Sequence, residues 1–344
     1  MRPVFAGRPQ GDGPAHPMEQ DLVRRQGFDF YPLRSSGFFG KGAAARMQFV
    51  LNAATGLLSA IGIIRRLRPS ALIAAGGFGS VTPLLAARIM NRPYFLLEQN
   101  CIPGRVTRYF ARGAVETFLT FPLVRHLAGR TLVTGTPLRE RLLTAARHDD
   151  GKTVLVLGGS QGARALNAAA LDLARQLPEL HFVVQTGRRD YPDVRTTAAK
   201  YGLANIELID FTLAMEELYA RASLVLSRAG GMVVNEILAL GLPSILVPFP
   251  FATDNHQKAN AQHAARQGAA LQIDQSRLPE LGKIVPELLA DRPRLAQMTE
   301  SARRIACRDA TSVIAKRIAD LLGPTASRSE PARDRPQPGA ASVR

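Results

Sequence analysis

Tryptophan is absent from this 344-residue chain, cysteine occurs twice and histidine six times. Two cysteines, Cys101 and Cys307, suit a reducing compartment and read as small buried apolar side chains. No metal-ligand spacing links the cysteines and histidines, so neither a structural zinc site nor another metal is expected. Interleaved basic and aromatic residues of the RNA-binding type are also missing, which makes nucleic acid the weakest partner class. The first residues, MRPVFAGRPQGDGP, contain no apolar core of a secretory signal. One uncharged run, residues 47–64, has the length of a membrane span. It carries Gln48, Asn52, Thr55, Ser59 and two glycines, and RRLR follows at once, so it reads as a buried or interfacial crossover helix.

What is present is basic charge, and it is uneven. The chain has 44 Lys+Arg against 28 Asp+Glu. Residues 1–150 hold 20 of the former and 9 of the latter; the remainder holds 24 and 19. A basic first half suits acidic lipid or a phosphorylated substrate, or is simply a solvated arginine-rich surface. The length predicts two domains.

Short β-rich runs alternate with helical stretches. Strands are expected at Val4–Ala6, Phe28–Leu33, Ala71–Ala75, Tyr94–Glu98, Thr117–Leu119 and Thr131–Val133, with helices near 43–66, 81–91 and 105–113. A second set follows the polar segment ARHDDGK: Thr153–Leu157, His181–Gln185, Asn205–Ile209, Ser223–Ser227 and Ser244–Val247. This rhythm predicts parallel sheets with helices on both faces, in two doubly wound α/β domains facing a cleft. The expected division is 1–140, 141–308 and a Pro-, Ser- and Arg-rich disordered tail over 323–344. A doubly wound domain ordinarily opens with a strand and a glycine-rich turn. Here the chain begins at what reads as the second strand, so the first domain is expected to lack its opening βα unit.

Residues 224–260 carry the most chemistry. The strand LVLS leads into the turn Arg228–Gly231 and a helical run containing Glu236. PSILVPFP is the next strand, and Asp254 to Asn260 opens another helix. Glycines at a strand-to-helix turn let backbone N–H groups approach an anion, where the helix dipole favours negative charge. Two carboxylate oxygens on Glu236 suit the vicinal hydroxyls of a ribose. The turn Gly158–Gly162, between a strand and a helix, is a second concavity of the same kind. Together these are the parts of a nucleotide-sugar site.

These segments resemble the MurG family. RAGGMVVNE, GLPSILVP and DNHQKANA are similar to its donor-binding signature, VLVLGGSQGARALN to its second glycine loop, EQNCIPGR to its EQN motif and SSGFFGKG to its S-G-x-x-GKG. Several motifs in order are far more specific than one. The resemblance implies the GT-B fold, with the last helix, about 309–322, crossing back to the first domain. It implies an inverting transferase moving N-acetylglucosamine from UDP-N-acetylglucosamine to undecaprenyl-diphosphate-linked muramoyl-pentapeptide. It also implies no cofactor, and a peripheral location on the cytoplasmic face of the plasma membrane, against an anionic surface. Open alternatives are a GT-B transferase for another lipid acceptor and a non-catalytic UDP-sugar-binding relative.

By the same resemblance the donor is contacted by Asn100, Arg139, Ser160, Gln161, Thr212, Gly230, Gly231, Met232, Glu236, His256, Gln257 and Asn260. Ser160 and Gln161 face the pyrophosphate, and the backbone at Thr212 pairs with uracil. Gly76, Gly77, Phe78 and Glu98 lie on the acceptor side. The pattern departs at Phe78, Leu97 and Val233, where the family has tyrosine, histidine and threonine. The family's opening G-G-T-G-G-H, with the histidine proposed as general base, is not found. His16 stands in a different Gly/Pro context, so the catalytic base is unassigned.

Overall fold

Strands buried on both faces read as continuous apolar runs, and TVLVL (153–157) is such a run, with all five residues buried. In the computed structural model, residues 3–7, 18–33, 43–159 and 162–323 are described. The segments around His16, SSGFFGKG and the tail beyond 323 lie outside them, as do Ser160 and Gln161.

The first half runs β1 (Phe5–Gly7), α1 (Met18–Arg25), β2 (Phe30–Pro32), α2 (Ala43–Leu67), β3 (Leu72–Ala74), α3 (Val81–Ile89), β4 (Tyr94–Glu98), α4 (Arg105–Phe110), β5 (Glu116–Leu119), β6 (Thr131–Val133) and α5 (Glu140–Thr144). The second half runs β7 (Thr153–Leu157), α6 (Arg164–Gln176), β8 (His181–Gln185), α7 (Tyr191–Lys200), β9 (Ile206–Ile209), α8 (Met215–Arg221), β10 (Leu224–Ser227), α9 (Gly231–Leu240), β11 (Ser244–Leu246), α10 (His256–Arg266), β12 (Leu271–Gln272), α11 (Leu281–Ala290), α12 (Arg292–Ile305) and α13 (Ala310–Leu322). Every strand pair among the described residues is parallel.

In the second half the spatial order is β9-β8-β7-β10-β11-β12. The order reverses between β7 and β10, and in such sheets the crevice beyond the strand ends at that reversal is where ligands bind. The loops leaving β7 and β10 span residues 158–163 and 228–230. Two cores clothe this sheet: Val154, Val156 and Phe182 lie in one, Leu155, Leu157 and Val225 in the other.

In the first half β3-β4-β5-β6 form one sheet and β1-β2 a separate pair. No described strand joins β1 to β3. Val4, Phe5 and Ile73, at or beside these strands, are 38%, 42% and 55% exposed, large values for apolar residues on sheet edges. Unpaired apolar edges template association. The variant Ile73→Lys is therefore expected to be more monomeric than the parent at high concentration, as read by light scattering.

The last helix, α13, packs Ala310, Ile314 and Ile318 on Phe95 and Phe118 of the four-stranded sheet. Arg317 donates to both carboxylate oxygens of buried Glu116, at 2.7 and 2.9 Å. The guanidinium is 40% exposed, which softens the pair's energy. Arg317→Ala is expected to lower stability, by leaving a buried carboxylate without its cation. Urea unfolding would measure it.

No helix among the described residues is long and apolar enough to cross a membrane. The long α2 packs on α3 through one side, with Ala60 and Ile64 buried, while Leu51 and Leu58 stay exposed.

Candidate active site

The carboxyl ends of the strands in both halves meet across a seam. Cys101, Ile102 and Phe121 from the first half share one core with Leu157, Val234 and Ala259 from the second. Buried Asn260 on α10 is the polar centre of that seam. Its Oδ1 accepts from the Cys101 amide at 2.9 Å. Its Nδ2 donates to Asn100 Oδ1 and to the Ala229 carbonyl, both at 3.0 Å. Asn235 on α9 adds a bond to the Thr136 carbonyl at 3.1 Å.

Three of the expected contact residues are held by hydrogen bonds of the chain's own. Asn260 is completely buried and its amide bonds to Cys101, Asn100 and Ala229, so it joins the lobes. Asn100 is likewise held at both ends of its amide, since its Nδ2 also donates to Glu98 at 3.3 Å. Glu98, expected on the acceptor side, is buried at the end of β4. Its Oε1 accepts from the Asn100 amide at 3.0 Å and its Oε2 from the Gly104 amide at 2.9 Å. The carboxylate organises the loop 99–104.

The turn into α9 faces the same seam. Gly230 is the N-cap residue, in extended conformation, and Gly231 opens the helix. A Cβ on Gly231 would overlap the Gln99 carbonyl oxygen and lie 2.8 Å from its carbonyl carbon. At Gly230 an added Cβ meets nothing within 4 Å. The positive end of α9, with half-buried Met232 beside it, is therefore presented between the lobes, where an anion is favoured.

The first glycine turn divides the same way. Gly158 packs against Ala163, and Gly162 (φ 77°) against the Thr186 carbonyl, while Gly159 (φ 82°) has no neighbour within 4 Å of an added Cβ. Close packing on two sides and open space at the middle glycine suit a backbone cradle. Behind it, Asp190 is buried. Burial alone would raise its carboxyl, but hydrogen bonds from Arg189 and Arg164 hold it below the usual carboxylate range. The two guanidinium groups are exposed, so the cradle's surroundings stay basic.

Farther along, Arg139 donates to the Leu213 carbonyl at 2.7 Å and so pins the loop that carries Thr212. Thr212 Oγ1 accepts from the Ala214 amide at 3.0 Å. Glu236 on α9 feels the charge of Arg139. Burial pushes the Glu236 carboxyl above the usual carboxylate range, and a hydrogen bond from Tyr219 and the Arg139 charge draw it part of the way back. Tyr219, which the sequence does not single out, donates its hydroxyl to Glu236 Oε2 at 2.8 Å from 17 residues earlier in the chain.

On the opposite lip, Asp254 and Asn255 both adopt left-handed backbone, with φ 54° and 56°. Helix α10 consequently starts at His256, not at Asp254 as the sequence suggests. Asp254 reaches Arg108 of α4 across the seam at 2.6 Å. His256 Nδ1 meets the Thr253 carbonyl at 2.7 Å, and Gln257 Oε1 accepts from the Phe249 amide at 2.9 Å. Both therefore shape the loop 249–256. Gly76 and Gly77 (φ 79° and 74°) make the bend after β3, and Ser80 closes it on the Gly76 carbonyl at 2.6 Å. Phe78 projects from that bend, 62% exposed. No group of His, Cys, Asp or Glu among the described residues could hold a metal ion. Cys101 is inert: burial pushes its thiol up to about 12.

Comparison with known proteins agrees with this architecture. Residues 13–119 match the glycosyltransferase family 28 N-terminal domain and residues 153–318 its C-terminal domain. A protein of Methylococcus capsulatus (strain Bath) is 37% identical over 306 residues, covering 87% of this chain and 86% of its own length. It is named UDP-N-acetylglucosamine–N-acetylmuramyl-(pentapeptide) pyrophosphoryl-undecaprenol N-acetylglucosamine transferase. The chain belongs to the MurG family of glycosyltransferases. The crystal structure of MurG from Acinetobacter baumannii superposes with a TM-score of 0.69 at 26% identity, over 92% of this chain and 98% of that one. A UDP-GlcNAc 2-epimerase from Neisseria meningitidis shares the fold alone, with a TM-score of 0.63 at 14% identity. The family member described here is thus a GT-B protein with two Rossmann-like domains.

Proposed function

We propose that this MurG-family protein transfers N-acetylglucosamine from UDP-N-acetylglucosamine to the muramoyl 4-hydroxyl of an undecaprenyl-diphosphate-linked muramoyl-pentapeptide. The hydroxyl oxygen attacks the anomeric carbon and its proton passes to solvent, the bond from that carbon to the diphosphate breaks, and UDP leaves with the electron pair. The observation that supports this most is the α9 turn. It sits at the reversal point of the second sheet, aimed at the EQN loop of the other lobe, with Glu236 one and a half turns along the helix.

In this reading the backbone of residues 158–163 and the N-terminus of α9 hold the diphosphate and stabilise the charge that develops on departing UDP. Ser160 and Gln161 would contact the diphosphate, as their motif implies. Glu236 takes the ribose, Thr212 the uracil, and Arg139 fixes the loop between them. His256 and Gln257 keep one ring or amide nitrogen each for the sugar. Gly76, Gly77 and Phe78 face the acceptor. Transfer of labelled sugar to a lipid-linked muramoyl-peptide analogue tests the proposal. Transfer to diacylglycerol instead would reassign the acceptor, and UDP binding without any transfer would make the protein a binding module.

The enzyme works, we infer, as a peripheral protein on the cytoplasmic face of the plasma membrane. Exposed Leu51, Leu58, Ile89 and Tyr109 lie on α2, α3 and α4, the same helices that carry Arg65, Arg66, Arg88 and Arg105. Apolar and cationic side chains together favour an anionic lipid surface. Co-sedimentation with vesicles containing anionic lipid is expected to fall steeply as salt is raised, and to be weak with neutral vesicles.

A further inference from the structure

Glu236 has two carboxylate oxygens, and the protein already occupies one. Tyr219 is 2% exposed, its ring lies in the core that joins the lobes, and its hydroxyl donates to Oε2 at 2.8 Å. No described residue donates to Oε1. A buried phenol needs a partner, so the bond satisfies Tyr219. It also fixes the rotamer of the glutamate, whose side chain would otherwise have several. Arg139, the other charged group facing this carboxylate, is tied to the Leu213 carbonyl and approaches from the loop side.

We propose that Tyr219 is a positioning residue of the nucleoside site. By holding Oε2 it aims Oε1 at a ribose hydroxyl, and so sets the preference for a ribonucleotide over its deoxy analogues. The inference rests on the reading of Glu236 as the ribose contact and assigns that contact its geometry. Tyr219 itself touches no ligand; it acts through Glu236.

Titration calorimetry with UDP, 2′-deoxy-UDP and 3′-deoxy-UDP tests it. The parent enzyme is expected to bind at least one deoxy analogue about tenfold more weakly than UDP, the scale of a hydrogen bond to a charged group. Tyr219→Phe keeps the ring and its packing. It is expected to weaken UDP severalfold while leaving that deoxy analogue unchanged, so that the gap narrows. Glu236→Gln should narrow the same gap. A second readout is pH. UDP affinity is expected to fall on acidification as Glu236 takes up a proton. In Tyr219→Phe, which removes a bond that lowers the carboxyl, the fall should begin at higher pH. Equal weakening of all three ligands by Tyr219→Phe would reduce the residue to core packing and overturn the proposal. An undiminished gap would overturn it as well. A parent enzyme that does not distinguish UDP from either analogue would instead remove the ribose contact at Glu236, and this inference with it.

Discussion

A single methyl group added at Gly231 is expected to lower UDP affinity at least tenfold and stability by about 1–3 kcal/mol. The added carbon would collide with the Gln99 carbonyl, which is backbone, and would lie 3.1 Å from Asn100 Oδ1. Neither neighbour can rotate away. The strain must open the seam or displace α9, and either movement shifts the helix N-terminus from the diphosphate position. Calorimetry with UDP and denaturant unfolding would read the two effects. Gly230→Ala is the matched control. Its Cβ would enter open space, so its stability loss should stay within about 1 kcal/mol, the scale of an N-cap change. Equal behaviour of the two variants would refute the close approach at Gly231.

Asn260→Ala is expected to destabilise the protein by about 3 kcal/mol or more, because each polar group it strands costs about 1–3 kcal/mol and neighbours in one network do not add simply. The stranded groups are the Cys101 N–H, the Ala229 carbonyl and Asn100 Oδ1, all at the buried seam. Because two of these bonds, to Cys101 and to Asn100, cross between the halves, donor binding should weaken in parallel. Asn260→Asp keeps the acceptor for Cys101 but turns an oxygen toward two other oxygens, so it should rescue little. Had Asn260 been only a sugar contact, Asn260→Ala would lower transfer while leaving the unfolding midpoint untouched.

Most of the scaffold is legible in the amino-acid sequence. Tyr94–Glu98, Thr153–Leu157 and His181–Gln185 form as strands over the expected residues, because parallel strands covered on both faces are continuous apolar runs with polar ends; Thr131–Val133 also forms, at the exposed edge of its sheet. The two-residue β12 leaves no such signal, since Leu271–Gln272 is too short to carry a pattern. The onset of α10 lies two residues later than the sequence suggests. Asp254 and Asn255 look like ordinary helix-opening residues, yet both sit in left-handed backbone, which Asp and Asn tolerate better than most.

Site residues divide along a physical line. Glycine turns are readable because their chemistry is local: a strand, a tight turn and a helix start close together in the chain. The roles of Glu98, Asn100 and Asn260 are not readable in this way. Glu98 is closed by amides of its own loop, and the other two are closed by partners far along the chain. The bond from Cys101 to Asn260 spans 159 residues, and that from Arg108 to Asp254 spans 146. No spacing rule reports whether a polar side chain faces a ligand or another part of the same chain.

The sequence by itself determined the family, the alternation of strand and helix, and the two amide-rich turns, since each is written in neighbouring residues and backbone preference. Tertiary structure alone decided which polar groups remain free for substrate. Burial and pairing between distant segments set that, as when the Tyr219 hydroxyl takes Oε2 of Glu236.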